Sequence, residues 1–488
     1  MKPMKPISSM PEPAEPFHHS MDAWIRNVLR KADIDRPVFF GLLSKMWGLA
    51  AVPVSLLLIT KFFTPVLQGY YYTFSNLLAL QIFVELGLGT VLVQFASHEW
   101  SLLRMAANGE VTGDPMALSR LTSLAQLAMK WYFVGALIVI IAVGGGGYLF
   151  FTYSPAQEVA WRAPWLALSL MTGITVCLAP AWSLLEGCNQ VSSLYQFRFF
   201  QGLLGSLALW IAIFAGLTLW VLVIAAGIMA IAGLFFIASR YSLFFKQLLF
   251  RNPASDIIRW RKDIFPMQWK IALSWASGYF SFSLFTPLLF HYQGPVIAGQ
   301  FGMTWSIVSA VARVSGVWLT PRAPLFGILI ARREFEELNR RFWRITRLFS
   351  CMVLALSICC WLLVDMVHIF YSAFSNRLLS PPTVAVLLVA QALGALSFPF
   401  SVYLRAHKQE PLLILSVVTG VLTAIATIFL GRYYAAAGIA TGYLLVNLLT
   451  IPFVFLIWFR CCKDWHSPQR KIFNATCYLP GFLDENKA

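Results

Sequence analysis

A stretch of the chain near residues 266–290 is apolar except for one row of polar side chains. Lys270, Ser274, Ser277 and Ser281 are spaced i, i+4, i+7 and i+11, which places them on one face of a helix. Lipid does not favour such a stripe, so we expect it to face the interior of a helical bundle. A lysine among hydroxyls can hold an anion. The alternative is that the serines allow close helix packing and the lysine reaches the interface.

Four other ionisable side chains lie within apolar runs, where each costs at least about 2.5–3.5 kcal/mol on insertion scales and therefore needs a reason. The residues predicted to bind substrate are Lys45, Arg198, Lys270, Ser274, Ser277 and Arg313. Glu85 is the deepest acid, and we predict that it couples an ion or pairs with one of these cations. Structural ion pairs and snorkelling to the interface are the competing interpretations.

Several aromatic side chains are candidates for stacking on sugars, namely Trp269, Trp275, Tyr279 and Trp305. Packing within the bundle or anchoring at the interface is the more usual role of aromatic residues in membrane helices. The run Tyr70–Tyr72 fits an aromatic belt at the outer interface.

The elements that must position these residues are long apolar helices. The chain has 488 residues, of which 59% are hydrophobic and 12% are charged, and its mean hydropathy is +0.70. A spanning helix needs about 20 apolar residues, and the runs do not alternate as barrel strands would. We predict an all-α polytopic membrane protein of about twelve spans in two six-helix, pseudo-symmetric bundles. The runs lie near 39–60, 70–95, 131–152, 163–185, 194–215, 218–239, 266–290, 296–319, 348–371, 382–404, 411–430 and 434–459.

The net charge of +16 is concentrated in alternate loops. Arginines and lysines cluster after the sixth span, at 240–262, and after the eighth, at 322–347, whereas the opposite loops are nearly free of them. Positive loops mark the cytoplasmic side, so both termini are predicted to be cytoplasmic. Most of the charge therefore reports orientation and contact with anionic lipid. Nucleic-acid binding is not indicated.

The two halves of the chain repeat one motif. Residues 64–75 read Thr-Pro-Val-Leu-Gln-Gly-Tyr-Tyr-Tyr-Thr-Phe-Ser, and residues 294–305 read Gly-Pro-Val-Ile-Ala-Gly-Gln-Phe-Gly-Met-Thr-Trp. A duplication after six spans leaves both halves in the same orientation, as in transporters with parallel repeats and a midline site.

The repeat suggests a division of the chain into five regions. We predict a cytosolic N-terminal tail (1–38), a six-helix bundle (39–245), a cytosolic linker (246–265), a second six-helix bundle (266–460) and a cytosolic C-terminal tail (461–488). Helices on the inner membrane surface are predicted at 331–345, more weakly at 115–128, and as a short interfacial segment at 21–33.

The stretch Gln68-Gly69-Tyr70-Tyr71-Tyr72, followed by Glu85-Leu86-Gly87-Leu88-Gly89, resembles the start of polysaccharide-export flippases of the multidrug/oligosaccharidyl-lipid/polysaccharide superfamily. The segment 269–302 and the motif Pro-Leu-Phe-Gly at 324–327 resemble the second half of the same family. The resemblance implies that the chain moves a lipid-linked oligosaccharide of the polyprenyl-pyrophosphate type to the outer leaflet of a bacterial inner membrane. The product would be O-antigen of lipopolysaccharide, capsule or exopolysaccharide.

Other functions remain alternatives. A multidrug or cation extruder of the same superfamily would favour acids within the spans, whereas bases predominate here. A membrane glycan polymerase or ligase would need a sizeable outer loop with catalytic residues. We therefore expect no enzymatic activity, no metal and no cofactor, since the glycine run at 144–147 lacks the Lys-Ser/Thr of a P-loop. The expected partners are membrane lipids and, on the biosynthetic side, glycan polymerase or glycosyltransferase machinery.

Overall fold

The computed structural model describes residues 36–106, 109–154, 159–253, 257–319, 322–407 and 409–466. The interfacial segment predicted at 21–33 and most of the predicted C-terminal tail lie outside these residues. The first helix begins at Arg36, slightly before the predicted boundary, and the last helix continues to His466.

The first half of the chain is helical apart from a small hairpin. Its helices are α1 (Arg36–Phe62), α2 (Pro65–Leu78), α3 (Ile82–Glu85), α4 (Leu88–Trp100), α5 (Pro115–Ile138), α6 (Gly144–Thr152), α7 (Arg162–Gly187), α8 (Val191–Phe214), α9 (Trp220–Arg240) and α10 (Ser242–Phe250). The hairpin pairs β1 (Leu103–Met105) antiparallel with β2 (Val111–Gly113).

The second half is helical throughout its described residues. Its helices are α11 (Phe265–Phe282), α12 (Phe285–Gln293), α13 (Pro295–Leu319), α14 (Ala323–Ala331), α15 (Phe335–Phe370), α16 (Ser372–Ser375), α17 (Pro381–Ala406) and α18 (Leu413–His466). The predicted all-α polytopic fold is confirmed.

Nine helices of the described chain are long and apolar enough to cross a membrane, or ten if α2–α3 and α4, which meet at 44°, form one bent span. The last helix contains two crossings, because Ala435 is non-helical and Gly438 packs against the carbonyl of Leu430. The chain reverses direction near Ala435. The two arms of α18, before and after this point, match the runs predicted at 411–430 and 434–459. The helix pair α11–α12 completes the pattern of about twelve spans.

Alternate connections divide the molecule into two sides. We call the side with the arginine-rich connectors at 240–262 and 322–347 the basic side, and the opposite one the far side. The start of α1 and the end of α18 both lie on the basic side, since an even number of crossings separates them.

The predicted surface helix at 331–345 is wrong, because α15 is one helix of 36 residues that includes most of this segment. At 1.5 Å per residue it is about 54 Å long and extends well beyond a hydrocarbon core of about 30 Å. The apolar face of the segment packs on protein instead of lipid: the ring of Phe342 lies 4.7 Å from that of Tyr403 and 5.5 Å from that of Trp458. Likewise, α5 includes the segment 115–128.

The repeated motifs contact each other on the far side. Proline is the first residue of both α2 and α13, which suits a helix N-terminus. A Cβ atom on Gly69 would collide with the carbonyl oxygen of Pro295, and one on Gly299 would lie 2.7 Å from the amide nitrogen of Gly69. The two halves therefore meet backbone to backbone at the equivalent glycines of the repeat.

Hydrogen bonds seal the same region. The buried Gln68 donates from Nε2 to the carbonyl oxygens of Gly299 at 2.9 Å and Arg377 at 3.1 Å. Arg377 donates in turn to the carbonyl of Phe63 at 2.5 Å. These bonds join α2 to α13, and they join α2 and the turn after α1 to the loop before α17, so the far side is closed.

The tyrosines of the first motif do not form the interfacial belt that the sequence predicts. Tyr70 is fully buried and Tyr72 nearly so. Tyr70 stacks on Phe151 at 5.5 Å and meets Phe290 edge-on at 4.9 Å, so it belongs to the aromatic core beneath the far-side contact.

We predict that Gly69→Ala opens the far side, because its methyl group has no room against Pro295. The measurement is the labelling of Ser306→Cys by an impermeant maleimide added to the far side. Ser306 lies on α13 two turns beyond Gly299, away from the far side. The background would carry serine in place of the native cysteines.

The matched control is Gly202→Ala, where an added Cβ meets nothing within 4 Å. Far-side labelling of Gly69→Ala no faster than that of Gly202→Ala would contradict the proposed role of the glycine contact.

Candidate functional site

A cavity of about 940 Å³ lies at the centre of the molecule. Four of the residues predicted to bind substrate line it: Lys45 from α1, Ser274 and Ser277 from α11, and Arg313 from α13. The remaining wall comes from α15, α17 and both arms of α18. The two residues at the middle of the sequence stripe on α11, Ser274 and Ser277, thus face the interior of the bundle.

The cavity extends to the basic side. Arg405 at the end of α17 and Leu412 just before α18 border it. The guanidinium of Arg405 lies 3.3 Å from the carboxylate of Glu410, so its charge is compensated at this mouth. With the far side closed, a ligand reaches the cavity from the basic side.

Arg313 is held in a fixed direction by its own helix. Its Nη1 donates to Ser309 Oγ at 2.9 Å, and its Nη2 donates to the carbonyl oxygen of Ser306 at 3.2 Å. Both acceptors lie toward the far side of α13, so the guanidinium points away from the basic mouth. Hydrogen bonds that fix a guanidinium fork favour oriented binding of an anion.

The charge in the cavity is positive and uncompensated at its centre. Lys45 and Arg313 have no ion-pair partner among the residues that the structure describes, and no described Asp or Glu lines the cavity. Both side chains are exposed to the cavity rather than packed in the protein. Ionisable groups within a span are tolerated where they line a cavity that water or a ligand can enter.

A second compartment of about 510 Å³ lies between the main cavity and the far-side contact. Arg313 and Gln391 border both compartments. The far-side compartment is lined mainly by α2 and α13, through Ser75 and Asn76 on one helix and Trp305 on the other.

Of the other predicted site residues, Arg198 and Glu85 lie elsewhere, and the side chain of Lys270 is not described. Arg198 lies on α8 outside both compartments, with its guanidinium 6.0 Å from the ring of Tyr195, so its position does not support a role in binding. Lys270 lies in α11 four residues before Ser274, and its side chain is outside the described part of the structure. Glu85 is half-buried and ends α3, at the break in the second span.

The break beside Glu85 is built by Leu86 and Gly87, which are both left-handed, with φ of 45° and 67°. Glycine suits this conformation, and a Cβ on Gly87 would also collide with the side chain of Ile271 in α11. At Gly87, the first half of the chain therefore contacts α11, the helix that carries Lys270. Whether Glu85 couples an ion or pairs with a cation stays a prediction.

Of the aromatic residues proposed to stack on sugars, only Trp305 lines a compartment. Tyr279 is buried against Phe83 and Phe280, and Trp275 is exposed on the outside of α11. These two side chains serve packing or the lipid interface.

The sequence analysis missed the polar wall formed by α17 and α18. Gln391, Tyr443 and Asn447 all line the main cavity, and Tyr443 Oη donates to Gln391 Oε1 at 3.2 Å. The sequence does carry a signal for this wall. Residues 391, 394, 398, 401 and 405 have the spacing of one helical face, and in the structure all five line the cavity.

Several solved structures that are similar to this chain are transporters. The chain is similar to an inward-facing multidrug resistance transporter of the MATE family of the MOP (multidrug/oligosaccharidyl-lipid/polysaccharide) superfamily, with a TM-score of 0.67, 15% identity, and coverage of 86% of this chain and 95% of that one. It is also similar to the MATE multidrug transporter DinF-BH (TM-score 0.56, 11% identity, 88% and 96% covered). A third similar structure is the lipid II flippase MurJ in an inward closed conformation (TM-score 0.55, 11% identity, 91% and 94% covered).

Neither a family model nor a curated protein matches the chain. The structural likeness therefore identifies the fold, which is that of MOP-superfamily transporters.

The geometry predicts that the main cavity is accessible from the basic side alone. In a background without native cysteines, Ser397→Cys, which lines the cavity on α17, should react with an impermeant maleimide added to that side. The control is Ser315→Cys on α13, because Ser315 is fully buried and lines neither compartment. Equal labelling of Ser397→Cys from the two sides would contradict the closed far side.

Proposed function

We propose that the protein is a flippase that moves an anionic lipid-linked oligosaccharide across a bacterial inner membrane by alternating access. The basic side is cytoplasmic in this proposal, as are both termini, because arginine-rich loops are retained there. The observation that carries the proposal is a central cavity that holds Lys45 and Arg313 without a described acidic neighbour.

The chemistry of the cavity fits a pyrophosphate. A guanidinium fork and a lysine ammonium are the side chains that commonly bind phosphate oxygens. In a site with little water such contacts are stronger than at the protein surface. Lys270, four residues before Ser274, is proposed as a third cation near the same ligand.

The size and shape of the cavity also suit this cargo. A volume of 940 Å³ is near the upper end of the roughly 300–1,000 Å³ found for small-ligand pockets. That space suits a hydrated pyrophosphate headgroup, while the polyprenyl chain remains in the bilayer between helices.

The membrane potential supplies a driving force in the required direction. Movement of one negative charge out of a cell with a negative interior is favourable by about 2.3 kcal/mol per 100 mV. An anionic cargo therefore needs no coupled ion for net export, although an ion at Glu85 would add to the drive.

Extrusion of cationic drugs is the competing function, since MATE transporters share the fold. A cationic substrate would be repelled by Lys45 and Arg313 and would find no described carboxylate along the cavity wall. The charge of the cavity thus favours an anionic cargo.

We predict that Arg313→Gln and Lys45→Gln each slow the flipping of a fluorescent polyprenyl-pyrophosphate oligosaccharide in proteoliposomes. Loss of one charged hydrogen bond costs about 1.5–3 kcal/mol, which is roughly a 10- to 100-fold loss of rate or affinity. The matched control is Arg198→Gln, which removes the same charge from a helix position outside both compartments and should transport normally.

Two results would overturn the proposal. One is equal loss in Arg198→Gln and Arg313→Gln, which would indicate a general effect of charge. The other is a wild type that transports a lipophilic cation but not the lipid-linked glycan, together with faster cation transport by Arg313→Gln.

A further inference from the structure

We propose that the far-side compartment is a sugar subsite, which receives the first neutral sugars of the cargo while the pyrophosphate lies at Arg313. This inference rests on the proposed function and adds a division of labour between the two compartments. In this division, α2, α13 and α17 recognise the glycan, whereas the cations of the main cavity bind the pyrophosphate.

The first argument is the direction of Arg313. Its guanidinium lies where the compartments join and is turned toward the far side by Ser309 and Ser306. A phosphate bound there from the basic side places the next part of the headgroup at the entrance of the far-side compartment.

The second argument is a buried amide with an unused donor. Gln391 is 8% exposed and borders both compartments. Its Oε1 accepts from Tyr443, whereas its Nε2 has no hydrogen-bond partner among the residues of the described chain. This donor faces the compartments rather than the packed protein, so it is available to a ligand or water that accepts from it.

A complementary acceptor lies on the opposite wall. Asn76 donates from Nδ2 to the carbonyl of Tyr72 at 2.8 Å, and this leaves its Oδ1 for a ligand. Ser75 donates its hydroxyl hydrogen to the carbonyl of Tyr71 at 3.1 Å, so its oxygen is also an acceptor toward the compartment. A sugar hydroxyl both donates and accepts, and this combination of groups satisfies both roles.

An apolar surface completes the compartment. The ring of Trp305 borders it and lies nearly parallel to that of Phe282, with centroids 6.3 Å apart. An aromatic face beside hydrogen-bonding groups suits the amphipathic surface of a sugar ring. A wholly apolar ligand would instead cover Gln391 Nε2 and Asn76 Oδ1 without giving either atom a partner, which is unfavourable.

The experiment compares binding of two ligands to the full chain in detergent: polyprenyl pyrophosphate without sugar, and the same carrier bearing a trisaccharide. The wild type should bind the glycosylated carrier about tenfold more tightly than the bare carrier, because one or two additional hydrogen bonds contribute about that much affinity. Asn76→Leu, or the milder Ser75→Ala, should lose this preference and keep the wild-type affinity for the bare carrier. Arg313→Gln should weaken binding of both ligands.

The matched control is Ser315→Ala, because Ser315 donates to the carbonyl of Val311 within α13 and lines neither compartment. It should keep the full preference for the glycosylated carrier. A wild type that binds both carriers equally, or an Asn76→Leu variant that keeps the preference, would overturn the sugar subsite alone. A wild type that binds neither carrier would overturn the proposed function and the subsite with it.

Discussion

The backbone contact between Gly69 and Pro295 at the far side is the constraint on which the rest of the structure depends. The contact brings α2 and α13 so close that neither Gly69 nor Gly299 has room for a side chain. The halves also touch where Gly87 meets Ile271, and the central cavity lies between them on the basic side of the Gly69 contact. The hydrogen bonds of Gln68 and Arg377 stabilise this arrangement without filling the cavity. An added methyl group at this contact would therefore act on the cavity from a distance.

The charges of the spans can be understood from this geometry. An unpaired cation in hydrocarbon is unfavourable, and a cavity open to the basic side relieves that cost through hydration. Lys45 and Arg313 lie where such hydration reaches, and Arg313 also uses two acceptors of its own helix. An anion that replaced this water would pair with the two cations, so the charges would favour the proposed anionic cargo over a cation.

Helix period and the length of the apolar runs were sufficient to predict the all-α polytopic fold and the inward-facing positions of Ser274 and Ser277, because these follow from local spacing. What failed depended on contacts between distant segments. The amphipathic pattern at 331–345 was real, but its apolar face meets Tyr403 and Trp458 instead of lipid. Arg198 and Arg313 look alike in sequence, and only the packing of their helices separates them. Gln391 was missed because its role depends on a partner 52 residues away.

The duplication explains the skeleton of the molecule but not the lining of its site. Gly69 and Gly299 occupy equivalent positions and meet by symmetry, whereas their neighbours do not match. Gln68 corresponds to Ala298, so only one half donates the sealing hydrogen bond. Tyr72 corresponds to Gly302, and a Cβ there would lie 2.5 Å from Tyr72. A symmetric pair of tyrosines could not be accommodated at this contact. The close approach of the halves thus requires their sequences to differ around it, and that difference makes the lining of the two compartments asymmetric.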